Sequence, residues 1–159
     1  MSMPLEPNSP APDFAAPNAA GQLVTLSNFA GQWLILYFYP KDNTPGCTTE
    51  AIAFSEKLSE FAELNATIIG VSPDSEASHG KFIDKHHLTI QLLSDPDHQI
   101  AAAYGAWGLK KFMGKDYMGI IRSTFLIDPS GKIAKIWSNV RVKGHVEKVL
   151  QCLQAASVA

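Results

Sequence analysis

"WLILYFYPKDNTPGCTTEAIAFSEKL", Trp33 to Leu58, changes character twice along its length. Trp33–Tyr39 is an unbroken run of aromatic and branched apolar residues. A strand that is buried on both faces reads this way, because neither face needs polar residues. From Thr49 onward, "TEAIAFSEKLSEFAEL" places Ala51, Phe54, Leu58 and Phe61 at helical intervals, which predicts an amphipathic helix. Between them lies "PKDNTPGCTTE", Pro40 to Glu50, with Cys47 in what should be the first turn of that helix. Pro45 fits there because a first-turn N–H has no intrahelical partner to lose, and Gly46 lets the backbone approach closely.

Outward from this junction the pattern repeats. "QLVTL" (22–26) reads as a short strand, and "ATIIGVS" (66–72) as a second buried one. "SEASHGKFIDKHH" (75–87) has weaker helical character, interrupted by Gly80. "IQLLSD" (90–95) reads as a third core strand, and "HQIAAAYGA" (98–106) as a short helix ending near Gly105. "LKKFMGKDYMGI" (109–120) is expected to be a polar, glycine-bearing loop. "IRSTFLID" and "GKIAKIW" form strands joined by "PSG". Val146, Val149, Leu150 and Leu153 then mark a closing amphipathic helix. Strand–helix alternation followed by a hairpin predicts an α/β domain with a central mixed sheet flanked by helices. One domain over residues 1–159 is expected, with 1–10 a short proline-rich lead-in.

Composition removes several function classes. Thirteen basic and 15 acidic residues give a formal net charge of −2, with no block of either sign. Nothing here points to nucleic acid or an anionic membrane. No apolar run reaches the roughly 20 residues of a membrane span. The N-terminus has neither the basic nor the apolar region of a secretory signal. With only two cysteines, a reducing compartment is expected, the cytoplasm by default.

Cys47 is the residue that calls for chemistry. A packing cysteine belongs inside an element, not between Pro-Gly and Thr-Thr at a strand-to-helix junction. The thiolate is the reactive form, whereas a free cysteine titrates near pH ~8.5, so something must favour the anion. The unpaired N–H groups and dipole of a helix N-terminus do so. Thr44, three residues earlier, could offer its hydroxyl to the sulfur or to a bound oxygen. A C-x-x-C disulfide reductase is disfavoured because Glu50 stands where the second cysteine would be. Acyl transfer needs a histidine base, and none of His79, His86, His87, His98 and His145 sits in a recognisable motif. Cys47 and Cys152 lack metal-ligand spacing, so no metal and no cofactor are assigned. Direct attack of the thiolate on an electrophile that needs no base remains, a peroxide O–O bond being one example.

Pro40-Lys-Asp-Asn-Thr44-Pro-Gly-Cys47 resembles the peroxiredoxin signature P-x-x-x-T-x-x-C. "APDF", "YFYPKDNTPGCTTEA", "MGKDYMGIIRSTFLID" and "DPSGKI" are similar to its bacterioferritin comigratory protein or PrxQ group, in order, from about Ala11 to Leu150. The resemblance implies a thioredoxin-like fold and a thiol-dependent peroxidase acting on hydrogen peroxide and small organic hydroperoxides. Cys47 would be its peroxidatic cysteine, with Pro40, Thr44 and Arg122 as partners. Arg122 could favour the thiolate and hold peroxide oxygens through its planar fork. Thr44 could hydrogen-bond the attacked oxygen, and Pro40 could shield the sulfur. For Glu50 a structural role is expected, pairing with a cation or capping the helix.

Many members carry a second, resolving cysteine, five or about 36 residues further on. Those positions are Ile52 and Ile83 here. The expectation is therefore a one-cysteine cycle resolved by an outside thiol, either thioredoxin or glutathione with glutaredoxin. Resolution through a Cys47–Cys152 disulfide is the alternative. A peroxide sensor or holdase using the same cysteine is another. The 107–119 segment could border the active site or a reductant, or be an ordinary half-packed loop. A monomer is favoured over a dimer.

Overall fold

The computed structural model describes residues 5–157. Along the chain come β1 (Ala15–Pro17), β2 (Leu23–Thr25), β3 (Trp33–Phe38), α1 (Pro45–Glu56), α2 (Leu58–Glu63) and β4 (Ala66–Ser72). They are followed by α3 (Glu76–His86), β5 (Gln91–Ser94), α4 (Gln99–Ala103), β6 (Trp107–Phe112) and β7 (Lys115–Ile120). The chain closes with β8 (Ser123–Ile127), β9 (Ile133–Trp137) and α5 (His145–Ser157). The main sheet has the order β5-β4-β3-β8-β9. β4 lies parallel to β3 and to β5, while β8 runs antiparallel to both β3 and β9. This is the expected mixed sheet, with β3 at its centre.

The unbroken apolar run of β3 has the expected cause. Leu34, Leu36 and Phe38 face one layer, with Phe14, Ile69, Tyr104 and Phe125. Ile35, Tyr37 and Tyr39 face the other, with Phe54, Phe61, Phe82 and Val149. The second layer is built from α1, α2, α3 and α5, and Cys47 belongs to it. The end of β3 thus delivers the chain into the N-terminus of α1 with helices on either side. Parallel strands linked by helices collect functional loops at this edge.

Three expectations change. The helix after Cys47 is two helices, broken at Lys57. The 109–120 segment is not a loop but the antiparallel hairpin β6–β7. Its turn is Met113–Gly114, both at positive φ, the geometry that a two-residue hairpin turn requires. Strand alternation is illegible there because Leu109, Phe112, Tyr117 and Met118 are apolar yet exposed. β1 goes unmarked in the sequence because its Ala15-Ala16-Pro17 has no β-branched or aromatic residue, unlike the equally short β2. Residues 1–4 of the lead-in lie outside the described residues. Its remainder is tied to β9: Asn8 N–H donates to the Ile133 carbonyl at 2.7 Å, and Pro10 bridges Lys132.

One close approach shapes the layer beneath the site. Gly70 of β4 pairs with Tyr37, and a Cβ at Gly70 would stand 2.8 Å from the Tyr37 ring and 2.9 Å from Leu92 Cδ2. Both neighbours are fully buried and have nowhere to go. Gly70→Ala should therefore cost about 1–3 kcal/mol of stability through overpacking. A urea-denaturation midpoint equal to that of the wild type would contradict this packing.

Candidate active site

Thr44 is the N-cap of α1, with extended backbone, and Pro45 is the first helical residue. The first intrahelical bond runs from Thr48 N–H to the Thr44 carbonyl at 2.8 Å. The N–H groups of Gly46 and Cys47 precede it and so belong to the unpaired first turn. Cys47 is buried, at 2% exposure, and is a free thiol. Its sulfur therefore meets the positive end of α1 from within a packed layer.

Arg122 reaches that sulfur from across the sheet. It sits between β7 and β8, whereas the sequence predicts it within the strand "IRSTFLID"; the observed strand begins one residue after it, at Ser123. Its backbone is pinned by its neighbours: Val140 N–H donates to the Arg122 carbonyl at 2.9 Å, and Ile121 N–H donates to Ala106 at 2.7 Å. The Nη2 group donates to Cys47 Sγ at 3.3 Å, and Nη1 donates to Glu50 Oε1 at 2.6 Å. A Cβ at Gly46 would touch Nη2 at 3.4 Å, so α1 lies close over the guanidinium. Burial opposes the Arg122 charge, but Glu50 and Cys47 outweigh it and raise the group above its ordinary value.

Glu50 stands one turn after Cys47 and is fully buried. Its pairing with a cation is the expected structural role, and the cation is Arg122. Burial raises its carboxyl to about 7, although Arg122 pulls the other way. Oε1 accepts from Arg122, whereas Oε2 finds no partner among the described residues. A proton taken up by Glu50 would therefore sit on Oε2 and leave the arginine contact in place.

The other candidates are placed less directly. The Thr44 hydroxyl donates to the Lys41 carbonyl at 2.8 Å, so its proton is already engaged and its oxygen is left to accept. Pro40 is half-buried where the chain leaves β3. Cys152 is half-buried on α5 and packs against the same apolar layer as Cys47. Ile52 and Ile83 also pack against that layer. Beside Arg122 opens a cleft of about 460 Å³, lined by Leu109, Lys110, Lys111, Ile121, Asn139 and Val140. The hairpin thus borders the site. Two histidines without any sequence motif turn out to be buried, His79 and His145. Neither was singled out, because an isolated histidine looks the same in a sequence whether it is buried or exposed.

A thiol at a helix N-terminus, with an arginine held on it by a buried carboxylate, matches the family suggested by the signature. The family model described as AhpC/TSA matches residues 7–136. The chain belongs to that family. It is 52% identical over 155 residues to "Peroxiredoxin Bcp" of Bacillus subtilis, covering 98% of this chain and 99% of the relative. "Peroxiredoxin Bcp" of Escherichia coli is 40% identical over 151 residues, covering 95% and 97%. Among solved structures, a PrxQ mutant from Xylella fastidiosa superimposes with a TM-score of 0.92 at 38% identity, over 98% of this chain and 99% of that one. A Xanthomonas campestris bacterioferritin comigratory protein gives a TM-score of 0.89 at 41% identity, over 96% and 98%. That structure concerns alkyl peroxide reduction and a trapped intermediate/ligand complex. The fold is thus thioredoxin-like and the chain is a peroxidase of the peroxiredoxin type, with a peroxide as substrate and a thiol as reductant.

The Glu50 environment gives a testable sign. The folded carboxyl holds its proton up to about 7, whereas the unfolded one releases it near its ordinary value of 4.5. The folded state therefore binds more protons between these values, and this group's contribution to stability falls as pH rises through that window. Wild-type stability relative to Glu50→Gln should fall between pH ~4.5 and pH ~7. A pH-independent difference in denaturation midpoint would contradict the assignment.

Proposed function

We propose that Cys47 is the peroxidatic cysteine of a one-cysteine cycle that reduces hydrogen peroxide and small organic hydroperoxides. The Nη2–Sγ hydrogen bond of 3.3 Å carries this reading, because it sets a fixed cation on a buried sulfur at a helix N-terminus. The thiolate attacks the terminal peroxide oxygen and the O–O bond breaks. Cys47 becomes sulfenic acid, and the leaving oxygen departs as alkoxide or hydroxide and takes a proton from solvent. Negative charge moves from sulfur to the leaving oxygen along that path. Arg122 and the N–H of Cys47 are positioned to follow it, which is stabilisation by dipoles already in place. Thr44 Oγ, whose proton is engaged by Lys41, accepts a hydrogen bond from the peroxide O–H. Pro40 shields the sulfur from water. The apolar side chains of Leu109, Ile121 and Val140 in the adjoining cleft suit the organic part of an alkyl hydroperoxide.

Sulfenic acid then condenses with an outside thiol, releasing water and forming a mixed disulfide. A second thiol displaces Cys47 and leaves as the disulfide product. The packed Ile52 and Ile83 support an external route, with thioredoxin or glutathione/glutaredoxin as the donor. The cytoplasm, a monomeric state and a single domain over 1–159 are part of the same proposal. Among the described residues no helix is long and apolar enough to cross a membrane.

Cys47→Ser should abolish peroxide consumption, and turnover retained by that variant would refute the assignment. Arg122→Ala should lower kcat/KM for peroxide by about a hundredfold; a value within a factor of about two of wild type would remove Arg122 from the mechanism. Cys152→Ser should keep full turnover with dithiothreitol as reductant, and loss of that turnover would make Cys152 the resolving residue.

A further inference from the structure

Charge is distributed unevenly over this chain. The whole carries 13 basic and 15 acidic residues. Yet seven of the basic residues line just two adjoining clefts, and no acidic residue lines either among the described residues. Lys110, Lys111 and Arg122 border the cleft already described. Lys135, Arg141, Lys143 and Lys148 border the second, of about 660 Å³, between β9 and the start of α5. The two share Asn139 and Val140, so they form one groove that leads to Arg122. None of the four cations of the second cleft pairs with a carboxylate among the described residues. The connection from β9 to α5 sets them in place. Val140 N–H donates to the Arg122 carbonyl at 2.9 Å, and a Cβ at Gly46 would meet Val142 Cγ2 at 4.0 Å. With Val140 and Val142 half-buried against the site, Arg141 and Lys143 are left exposed. His145, 4% exposed, also lines the second cleft. Its Nε2 lies 2.8 Å from Thr124 Oγ1, and its Nδ1 has no partner among the described residues. Burial, with the charges of Lys148 and Arg122, holds this ring down to about 4, so near neutral pH it is an uncharged polar group among cations. Helix α5 begins at the same place, and its first-turn N–H groups add the positive end of a helix dipole.

Cations held together without a counter-charge repel one another, and a bound anion relieves that repulsion. The anion must also suit a groove that leads to the reacting sulfur. Hydrogen peroxide offers no charge to hold, and the apolar walls of the first cleft suit the organic part of a hydroperoxide. The reducing thiol is the reactant left for the cations. We propose that the β9–α5 cleft binds the carboxylates of a small anionic thiol and holds its sulfur toward Arg122 and Cys47, so that it resolves the sulfenic acid. This inference deepens the one-cysteine reading above and rests on it. The carboxylates take the four cations of the second cleft as partners, Arg141 through its planar fork. The rest of the thiol lies along the shared wall of Asn139 and Val140. Its thiolate attacks the sulfenic sulfur of Cys47. The S–S bond forms, the S–O bond breaks, and hydroxide leaves with the thiol's proton as water. Binding raises the effective concentration of the thiol at the sulfur, a gain that a thiol without carboxylates does not share.

The test uses the full chain with Cys152→Ser, oxidised at Cys47 by one equivalent of hydrogen peroxide. Consumption of the sulfenic acid is followed by rapid mixing, quenching and intact-mass measurement. The probes are reduced glutathione and its diethyl ester, in which both carboxylates are capped, compared at equal thiolate concentration. Glutathione should react about tenfold faster than the ester or more, with a rate that saturates. Its advantage should shrink as sodium chloride rises from about 20 to about 300 mM. Lys143→Glu and Arg141→Glu should each cut the ratio of the two rates by about fivefold or more. The ester rate is the internal reference, since general damage to the fold moves both rates. Lys57→Glu, outside both clefts, should keep the ratio. Equal rates for the two thiols would overturn the site and leave the cleft to a larger acidic partner. A ratio that both charge reversals leave unchanged, or that Lys57→Glu lowers equally, would overturn it too. A sulfenic acid that neither thiol consumes would refute the external-thiol cycle. Cys47 that forms no sulfenic acid at all would refute the peroxidase reading instead.

Discussion

The guanidinium of Arg122 is held at one end by a buried carboxylate and offered at the other to a buried sulfur. Most of the remaining architecture follows from keeping that three-membered line straight. Cys47 and Glu50 are one helical turn apart, so a single rigid element presents both to the arginine. The arginine arrives from a different part of the chain, pinned by backbone hydrogen bonds beside β8. β3 lies between β4 and β8 and hands the chain into α1, so the central strand is also what brings the two halves of the site together. Loss of Glu50 would leave the arginine free to turn away. Loss of Arg122 would leave a carboxylate and a sulfur buried together without a cation.

Much of this was legible from sequence because each signal had a local cause. Trp33–Tyr39 reads as a central strand since both faces are buried, and burial on both faces is what removes alternation. Cys47 is conspicuous because Pro45 and Gly46 mark a strand-to-helix junction where a packing cysteine has no business. Arg122 came from the signature's neighbourhood. Its hydrogen bond to the sulfur, and the identity of its carboxylate partner, could only come from three-dimensional placement. Glu50 and Arg122 are 72 positions apart, and no periodicity links them.

What stayed hidden has a common physical origin. The β6–β7 hairpin carries apolar side chains outward, so the period-two pattern that betrays an edge hairpin is absent. Asp42 and His79 look like ordinary polar residues of a turn and a weak helix. Their burial results from α3 docking over the loop, a tertiary event that hydropathy cannot register. The same docking changes the meaning of Ile83. Helix α3 packs Ile83 against the same apolar layer as Cys47.

The most direct test of the central claim is peptide mass spectrometry of the reduced protein after one equivalent of hydrogen peroxide, in the presence of a sulfenic-acid trap and without added thiol. The account predicts a trapped adduct on Cys47 alone, with Cys152 unmodified. A Cys47–Cys152 disulfide would contradict the one-cysteine cycle. An unmodified Cys47 would contradict the assignment of the sulfur itself.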